Sequence, residues 1–240
     1  DGKTIAYLRG GPVKYAWYDS DQIATVSVKG GDERVVNPNY DQYVYSPRWS
    51  RDGKALYFLV EDDRITSLAS MAITGGETEI FYPTRSKPGV ARSFEVGARG
   101  IAALVEFPQR PAEIYRVKDG AALTDHSREI LDAIEWGSVD AFDATSADGV
   151  AVGSMLRKPP GFRKGKKYPT IFYIHGGPVG QDAFDFDFTA QLLAAQGYLV
   201  VQPNYRGSSG RGREFSRAIY ADWGNLEIQD IHAVADKLVE

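Results

Sequence analysis

The stretch from Lys167 to Pro178, Lys-Tyr-Pro-Thr-Ile-Phe-Tyr-Ile-His-Gly-Gly-Pro, constrains this chain more than any other. Thr170 to Ile174 is all β-branched or aromatic, the composition of a strand buried on both faces of a largely parallel sheet. The strand has to stop at His175, because Gly176, Gly177 and Pro178 follow at once. Two glycines after a buried strand leave a bare backbone whose N–H groups can point at whatever lies over the sheet edge. Taken alone, the same four residues also suit a simple tight turn.

The following residues repeat the pattern. Ala183 to Gln196 reads as a helix with Phe188, Leu192 and Leu193 on its buried side, and Gly197 stands where a left-handed C-terminal cap is wanted. Tyr198 to Val201 is the next buried strand, and it runs into a second glycine-rich loop, Gln202 to Gly212. Strand, helix, strand with a short return implies parallel neighbours. Both glycine-rich loops then leave the carboxyl ends of adjacent strands, where such sheets collect their functional groups. Upstream, Val139 to Ser146 and Val150 to Arg157 flank Asp148-Gly149, the signature of an antiparallel hairpin. At the far end, Leu226 to Glu240 places Ile228, Ile231, Ala235 and Leu238 on one helix face, with His232 at its margin as a half-buried packing residue.

The first part of the chain follows another grammar. Asp52-Gly53-Lys54 precedes the apolar run Ala55 to Val60, Asp1-Gly2-Lys3 precedes Thr4 to Leu8, and Arg99-Gly100 precedes Ile101 to Val105 as a degenerate third copy. Each copy has a second candidate strand after it, at Gln22 to Val28, Ser67 to Ile73 and Ala112 to Val117. A period of roughly 50 residues holding several short strands is the spacing of β-propeller blades. Residues 1–135 are therefore expected to be incomplete propeller blades and residues 136–240 a separate unit, with a short helix-like or irregular segment, Ser127 to Trp136, ending the repeat pattern. A closed propeller needs at least about four blades, so the chain reads as cut. Glu61-Asp62-Asp63 with Arg64 reads as a solvated hairpin tip rather than a site for a substrate amine. His126 reads as ordinary surface, and Tyr15, Trp17 and Tyr18 as strand or blade-edge packing rather than a ligand shelf.

Composition removes several classes of partner. A net charge of -4 gives no broad basic field for nucleic acid or anionic lipid. No run approaches the roughly 18 apolar residues of a membrane span. Asp1-Gly2-Lys3 is not the start of a signal peptide, and the chain opens in mid-pattern, so an export signal ahead of it stays open. The absence of cysteine excludes disulfides and thiolate metal sites without fixing a compartment. The three histidines, 126, 175 and 232, lack metal-ligand spacing, and no cofactor is implied.

Tyr168-Pro169 ahead of His175-Gly176-Gly177-Pro178, then Asn204-Tyr205-Arg206-Gly207-Ser208-Ser209-Gly210, then Trp223-Gly224 with Asp230 after it, resemble the prolyl oligopeptidase family of serine peptidases. The His-Gly-Gly-Pro form is similar to its acylaminoacyl-peptidase and dipeptidyl-peptidase branch. That resemblance implies C-terminal blades of a β-propeller followed by the first part of an α/β-hydrolase domain. It implies that Gly177, with Gly176 shaping the turn, offers its N–H to an oxyanion, and that Asn204, Tyr205 and Arg206 brace the loops. The family's nucleophile sits in Gly-x-Ser-x-Gly. No serine here does: Ser209 has Gly207 two residues before it but Arg211 two after. The resemblance thus implies that nucleophile, acid and base lie beyond this chain, which alone should be inert, while the parent hydrolyses short peptides through an acyl-enzyme. Two other readings stand beside it: a non-catalytic propeller module used for binding, and an esterase-type α/β-hydrolase, against which Pro178 and the upstream repeats argue.

Overall fold

The computed structural model describes residues 2–239; Asp1, which opens the first repeat copy, and Glu240, at the end of the last helix, lie outside the described residues. The repeat copies do form strands, each paired antiparallel with the next. β1 (Thr4–Arg9) pairs with β2 (Gln22–Ser27), and β3 (Arg34–Val35) completes a three-stranded sheet. β4 (Tyr43–Trp49), β5 (Ala55–Glu61), β6 (Thr66–Ala72), β7 (Glu79–Tyr82), β8 (Val90–Gly97), β9 (Gly100–Phe107), β10 (Arg110–Arg116) and β11 (Ala121–Ala122) share one eight-stranded sheet. Its order is β11-β10-β9-β8-β6-β5-β4, with β7 alongside β6.

This corrects the propeller expectation. No sheet among the described residues is closed or blade-like, because Thr66 of β6 pairs in parallel with Val90 of β8 and joins what the repeat would keep as separate blades. A turn-plus-strand repeat specifies local hairpins; which edges then meet is decided by pairing between distant residues. The core follows strand alternation closely. Leu56, Phe58 and Val60 of β5 face Ile23, Val44 and Met71, whereas Leu59 faces the opposite way onto Leu68, Phe94 and Val105. β5 is buried on both faces, which is why it reads as a continuous apolar run.

After the short helix α1 (Arg128–Asp132), β12 (Val139–Thr145), β13 (Ala151–Arg157), β14 (Thr170–Phe172) and β15 (Leu199–Asn204) form a mixed sheet in the order β12-β13-β15-β14. It is not the largely parallel sheet expected of the first part of an α/β-hydrolase domain: only β14 and β15 run parallel, while β12/β13 and β13/β15 are antiparallel. β14 is shorter than expected and lies at the sheet's edge, so Tyr173 and Ile174 are exposed rather than buried. Successive residues of β15 serve opposite layers: Val200 packs on α2 (Phe188–Ala195), and Val201 on α4 (Leu226–Val239).

Both helices turn a different face inward than their apolar residues indicate. α2 buries Ala190, Gln191 and Ala194 and leaves Phe188 63% and Leu192 52% exposed. Alanines let the helix close on the sheet, and the Gln191 amide donates to the carbonyls of Pro108 (3.1 Å) and Gly137 (3.3 Å). α4 buries Glu227, Asp230 and Val234, while Ile228 and His232 are exposed. Gly197 does adopt the left-handed conformation, φ +92°.

The acidic hairpin tip is no solvated turn. Arg64 is 8% exposed and its Nη1 donates to the Phe142 carbonyl at 3.0 Å, so the tip is plugged into the C-terminal sheet. Tyr15 lies in a 3-10 turn, Val13–Tyr15, not a strand. Tyr15 and Tyr18 pack edge-on against Tyr220, whereas Trp17 is exposed.

His126 is on the surface, but its backbone is held. Buried Glu113 of β10 accepts from the N–H of His126 (2.6 Å) and Ser127 (3.2 Å), from the Ser127 hydroxyl (3.0 Å), and from the Thr124 hydroxyl. Burial alone would raise the Glu113 pKa; hydrogen bonds from Thr124, His126 and Ser127 outweigh it and hold the carboxyl at about 2. A depressed folded-state pKa contributes stability above the ordinary value of 4.5 that is lost as pH falls toward 2. Thermal unfolding across that range should therefore show a steep acid loss in the wild type. Glu113→Gln should be less stable at neutral pH and give a flatter profile.

Candidate active site

β14 and β15 are parallel neighbours, so the loops leaving their carboxyl ends, residues 173–182 and 205–212, emerge side by side. The two loops touch directly. Ser209 donates its N–H to the Gly180 carbonyl at 2.9 Å. A Cβ on Gly207 (φ +107°) would lie 2.5 Å from Ile219 Cδ1 and 3.3 Å from Pro178 Cβ, so only glycine admits this approach.

His175 sits between the loops. Its ring stacks on Tyr205, centroids 4.8 Å apart at 18°, and the Tyr205 hydroxyl donates to the His175 carbonyl at 2.7 Å. Nδ1 lies 3.1 Å from the Gly176 carbonyl, which can only accept, so Nδ1 carries the proton. Nε2 therefore accepts from the Ser208 hydroxyl at 3.0 Å. Burial lowers the His175 pKa, with the Gly176 carbonyl opposing it in part, and the ring is neutral at pH 7. Burial, then the charges of Asp182 and Glu227, raise that of Tyr205.

Gly176 and Gly177, the glycines singled out in the sequence, are exposed at the end of this arrangement. Gly177 has φ +137°, and a Cβ there would lie 3.1 Å from both N and O of Val179, whereas Gly176 has open space around it. Asn204, Tyr205 and Arg206 all brace the loops. The Asn204 amide clamps the Asp182 backbone, accepting its N–H at 2.7 Å and donating to its carbonyl at 2.8 Å. Arg206, buried, bonds Asp230 through Nε (3.0 Å) and Nη2 (2.6 Å), donates to the Ser146 hydroxyl at 3.2 Å, and pairs with Asp148. The Arg206 N–H also donates to Asp230, at 2.8 Å.

Neither neighbouring serine is placed as a nucleophile. Ser208 is fully buried, and Ser209 is nearly so with its hydroxyl donated to Glu61. His175 has a carbonyl, not a carboxylate, on its Nδ1 side, so the Ser208–His175 pair lacks the orienting acid of a triad. His126 and His232 lie away from these loops, and no group of three metal-ligating side chains occurs among the described residues.

Residue-pattern reasoning missed the acidic cluster that follows the first loop. Asp182 and Asp187 share the Gln202 amide (3.1 and 3.0 Å), and Asp185 pairs with fully buried Arg157 at 3.0 Å. Burial first, then the charges of Asp185 and Asp187, push Asp182 up to about 7 against the pull of Arg157 and Gln202. The available signal was the spacing Asp182-x-x-Asp185-x-Asp187 directly after a glycine loop.

Residues 184–240 match the prolyl oligopeptidase family model. Dipeptidyl-peptidase 5 of Porphyromonas gingivalis is 30% identical over 246 residues, covering 99% of this chain and 35% of that protein. Among solved structures, an acylaminoacyl peptidase in complex with Z-Gly-Gly-Phe-chloromethyl ketone superposes with a TM-score of 0.86 at 25% identity, covering 100% of this chain and 37% of the other. The Pyrococcus horikoshii acylaminoacyl peptidase, in its orthorhombic crystal form, gives 0.85 at 25% identity with the same coverage. The chain is thus similar to these peptidases, its residues 184–240 match the prolyl oligopeptidase family model, and it spans about a third of the length of the relatives it matches.

The Arg206–Asp230 pair yields a direct test. Arg206→Met leaves a buried carboxylate without its partner and should cost about 3–5 kcal/mol in urea unfolding. Adding Asp230→Leu should recover much of that loss, because the uncompensated charge is then gone.

Proposed function

We propose that this chain is the part of a serine peptidase that presents one main-chain oxyanion donor, the Gly177 N–H, to the carbonyl of a short peptide. Gly176 shapes the turn. The nucleophile, its base and the orienting acid come from outside these residues, and residues 1–135 and 136–240 act as two units. The observation that carries this reading is the exposed Gly176–Gly177 pair at the carboxyl end of β14, backed by the Tyr205–His175–Ser208 contacts, in a chain whose residues 184–240 match this family. The chemistry needs a donor held rigidly before reaction, since a preorganised N–H stabilises developing charge without reorganising. Tyr205, fixing the His175 carbonyl, and neutral His175, accepting from Ser208, supply that rigidity. His175 is a positioning residue in this scheme. It shuttles no proton, because both ring nitrogens are occupied by loop contacts.

Two experiments test the proposal. A fluorophosphonate probe should leave the 240-residue chain unlabelled, and covalent labelling at any serine would overturn the claim that the nucleophile lies elsewhere. In a longer, active protein carrying this segment, Gly177→Ala should displace the N–H and lower kcat about 100- to 1,000-fold with little change in KM. An unchanged kcat would remove Gly177 from the mechanism.

A further inference from the structure

We infer that Gln181 is a positioning residue through which the β5–β6 hairpin tip sets the conformation of the Gly176–Gly177 loop. The tip is unusual in its backbone. Asp63 and Arg64 both adopt positive φ, 42° and 73°, a region non-glycine residues enter only when their surroundings hold them there. What holds them includes a side chain from the loop that follows β14. Gln181 Oε1 accepts the Arg64 N–H at 2.8 Å, and Gln181 Nε2 donates to the Ile65 carbonyl at 3.0 Å. One primary amide thus satisfies a donor and an acceptor of the tip, as a neighbouring strand residue would.

Main-chain bonds from both loops flank the contact. Phe184 donates its N–H to the Arg64 carbonyl at 2.9 Å, and Asp63 donates its N–H to the Gly210 carbonyl at 2.9 Å. A Cβ on Gly210 (φ +79°) would fall 2.4 Å from Gln181 Oε1 and 3.0 Å from the Asp63 nitrogen, so the second glycine loop also closes on the amide. Gly180, next to Gln181, accepts from Ser209, whose hydroxyl reaches Glu61 at the end of β5. Between Gln181 and Gly177 lie only Pro178, Val179 and Gly180, and Pro178 is buried against the Gly207 turn. Displacing the amide therefore removes one of the ties on the short segment whose other end is held by Tyr205, leaving the Ser209–Gly180 and Asn204–Asp182 bonds to hold it alone.

Glutamine meets both requirements of this role. Glutamate keeps the acceptor for Arg64 but cannot donate to Ile65, and methionine keeps the length and loses both bonds. The link from Gln181 to the loop stands on geometry alone; any effect on catalysis rests on the function proposed above for Gly177.

The test compares wild type, Gln181→Glu and Gln181→Met in the full chain by 1H–15N NMR and amide exchange. Expected are displaced or broadened Gly176 and Gly177 resonances, and exchange about tenfold faster or more at Phe184 and Ser209 in Gln181→Met. Gln181→Glu should be intermediate, and amides of α4 and β15 should be unchanged. If Gln181→Met fails to fold, Gln181→Glu decides alone. Glycine resonances at wild-type positions in every folded variant would overturn the inference, as would equal acceleration throughout α4 and β15. In an active longer protein, Gln181→Glu should lower kcat with KM held; a perturbed loop with unchanged kcat would defeat the role of Gly177 and leave that of Gln181 standing.

Discussion

The buried ion pair of Arg206 and Asp230 is the constraint on which the C-terminal sheet depends. Desolvating two charges is unfavourable unless their remaining hydrogen-bonding capacity is met. Here it is met by the second Asp230 oxygen, Ser146 and Asp148, so one guanidinium ties the end of β15 to α4 and to the β12–β13 turn. The pair also decides how α4 is rotated. A helix placed by its isoleucines alone would put Ile228 inward; holding Asp230 inward turns Ile228 to solvent and packs Val234 on Val201. The Glu227 carboxylate then accepts from the N–H groups of Gly224 and Asn225 at the start of the same helix.

The two sets of sheets meet through charge and aromatic edges more than through a shared apolar core. Arg92 of β8 bridges Glu106 and Asp185 (3.1 Å), Arg211 reaches Asp63 (3.0 Å), and Asp19 takes both Arg213 (2.7 Å) and Arg217. Trp223 Nε1 donates to the Tyr18 hydroxyl at 2.6 Å. The candidate site lies against this boundary, so its loops feel whatever happens there.

How much of this was legible in the residues depended on the range of the interaction. The strands β2, β5, β6, β10, β12 and β13 follow from alternation and Asp-Gly turns, which act over a few residues. The Gly176–Gly177 loop was legible because the strand before it ends so abruptly, and the bracing role of Asn204 to Arg206 only through the family resemblance. Sheet assembly was not, since the pairing of Thr66 with Val90 leaves no local pattern and undoes the blade-by-blade reading. The orientation of α2 was hidden because its alanines, not Phe188 and Leu192, meet the sheet. The acidic tip misled because charge clusters are usually solvated, and only its partners Phe142, Asp143 and Gln181, distant in sequence, show otherwise.

β14 has a strand neighbour on one side only, and it continues into bare Tyr173 and Ile174. Such a margin is adhesive: its main-chain groups template any extended segment that comes alongside, including the same margin of another copy. No lysine, proline or bulge blunts β14 itself, which reads Thr-Ile-Phe. The main-chain groups along Thr170–Phe172 that face away from β15 are thus as much a feature of this sheet as the pairs that β15 satisfies.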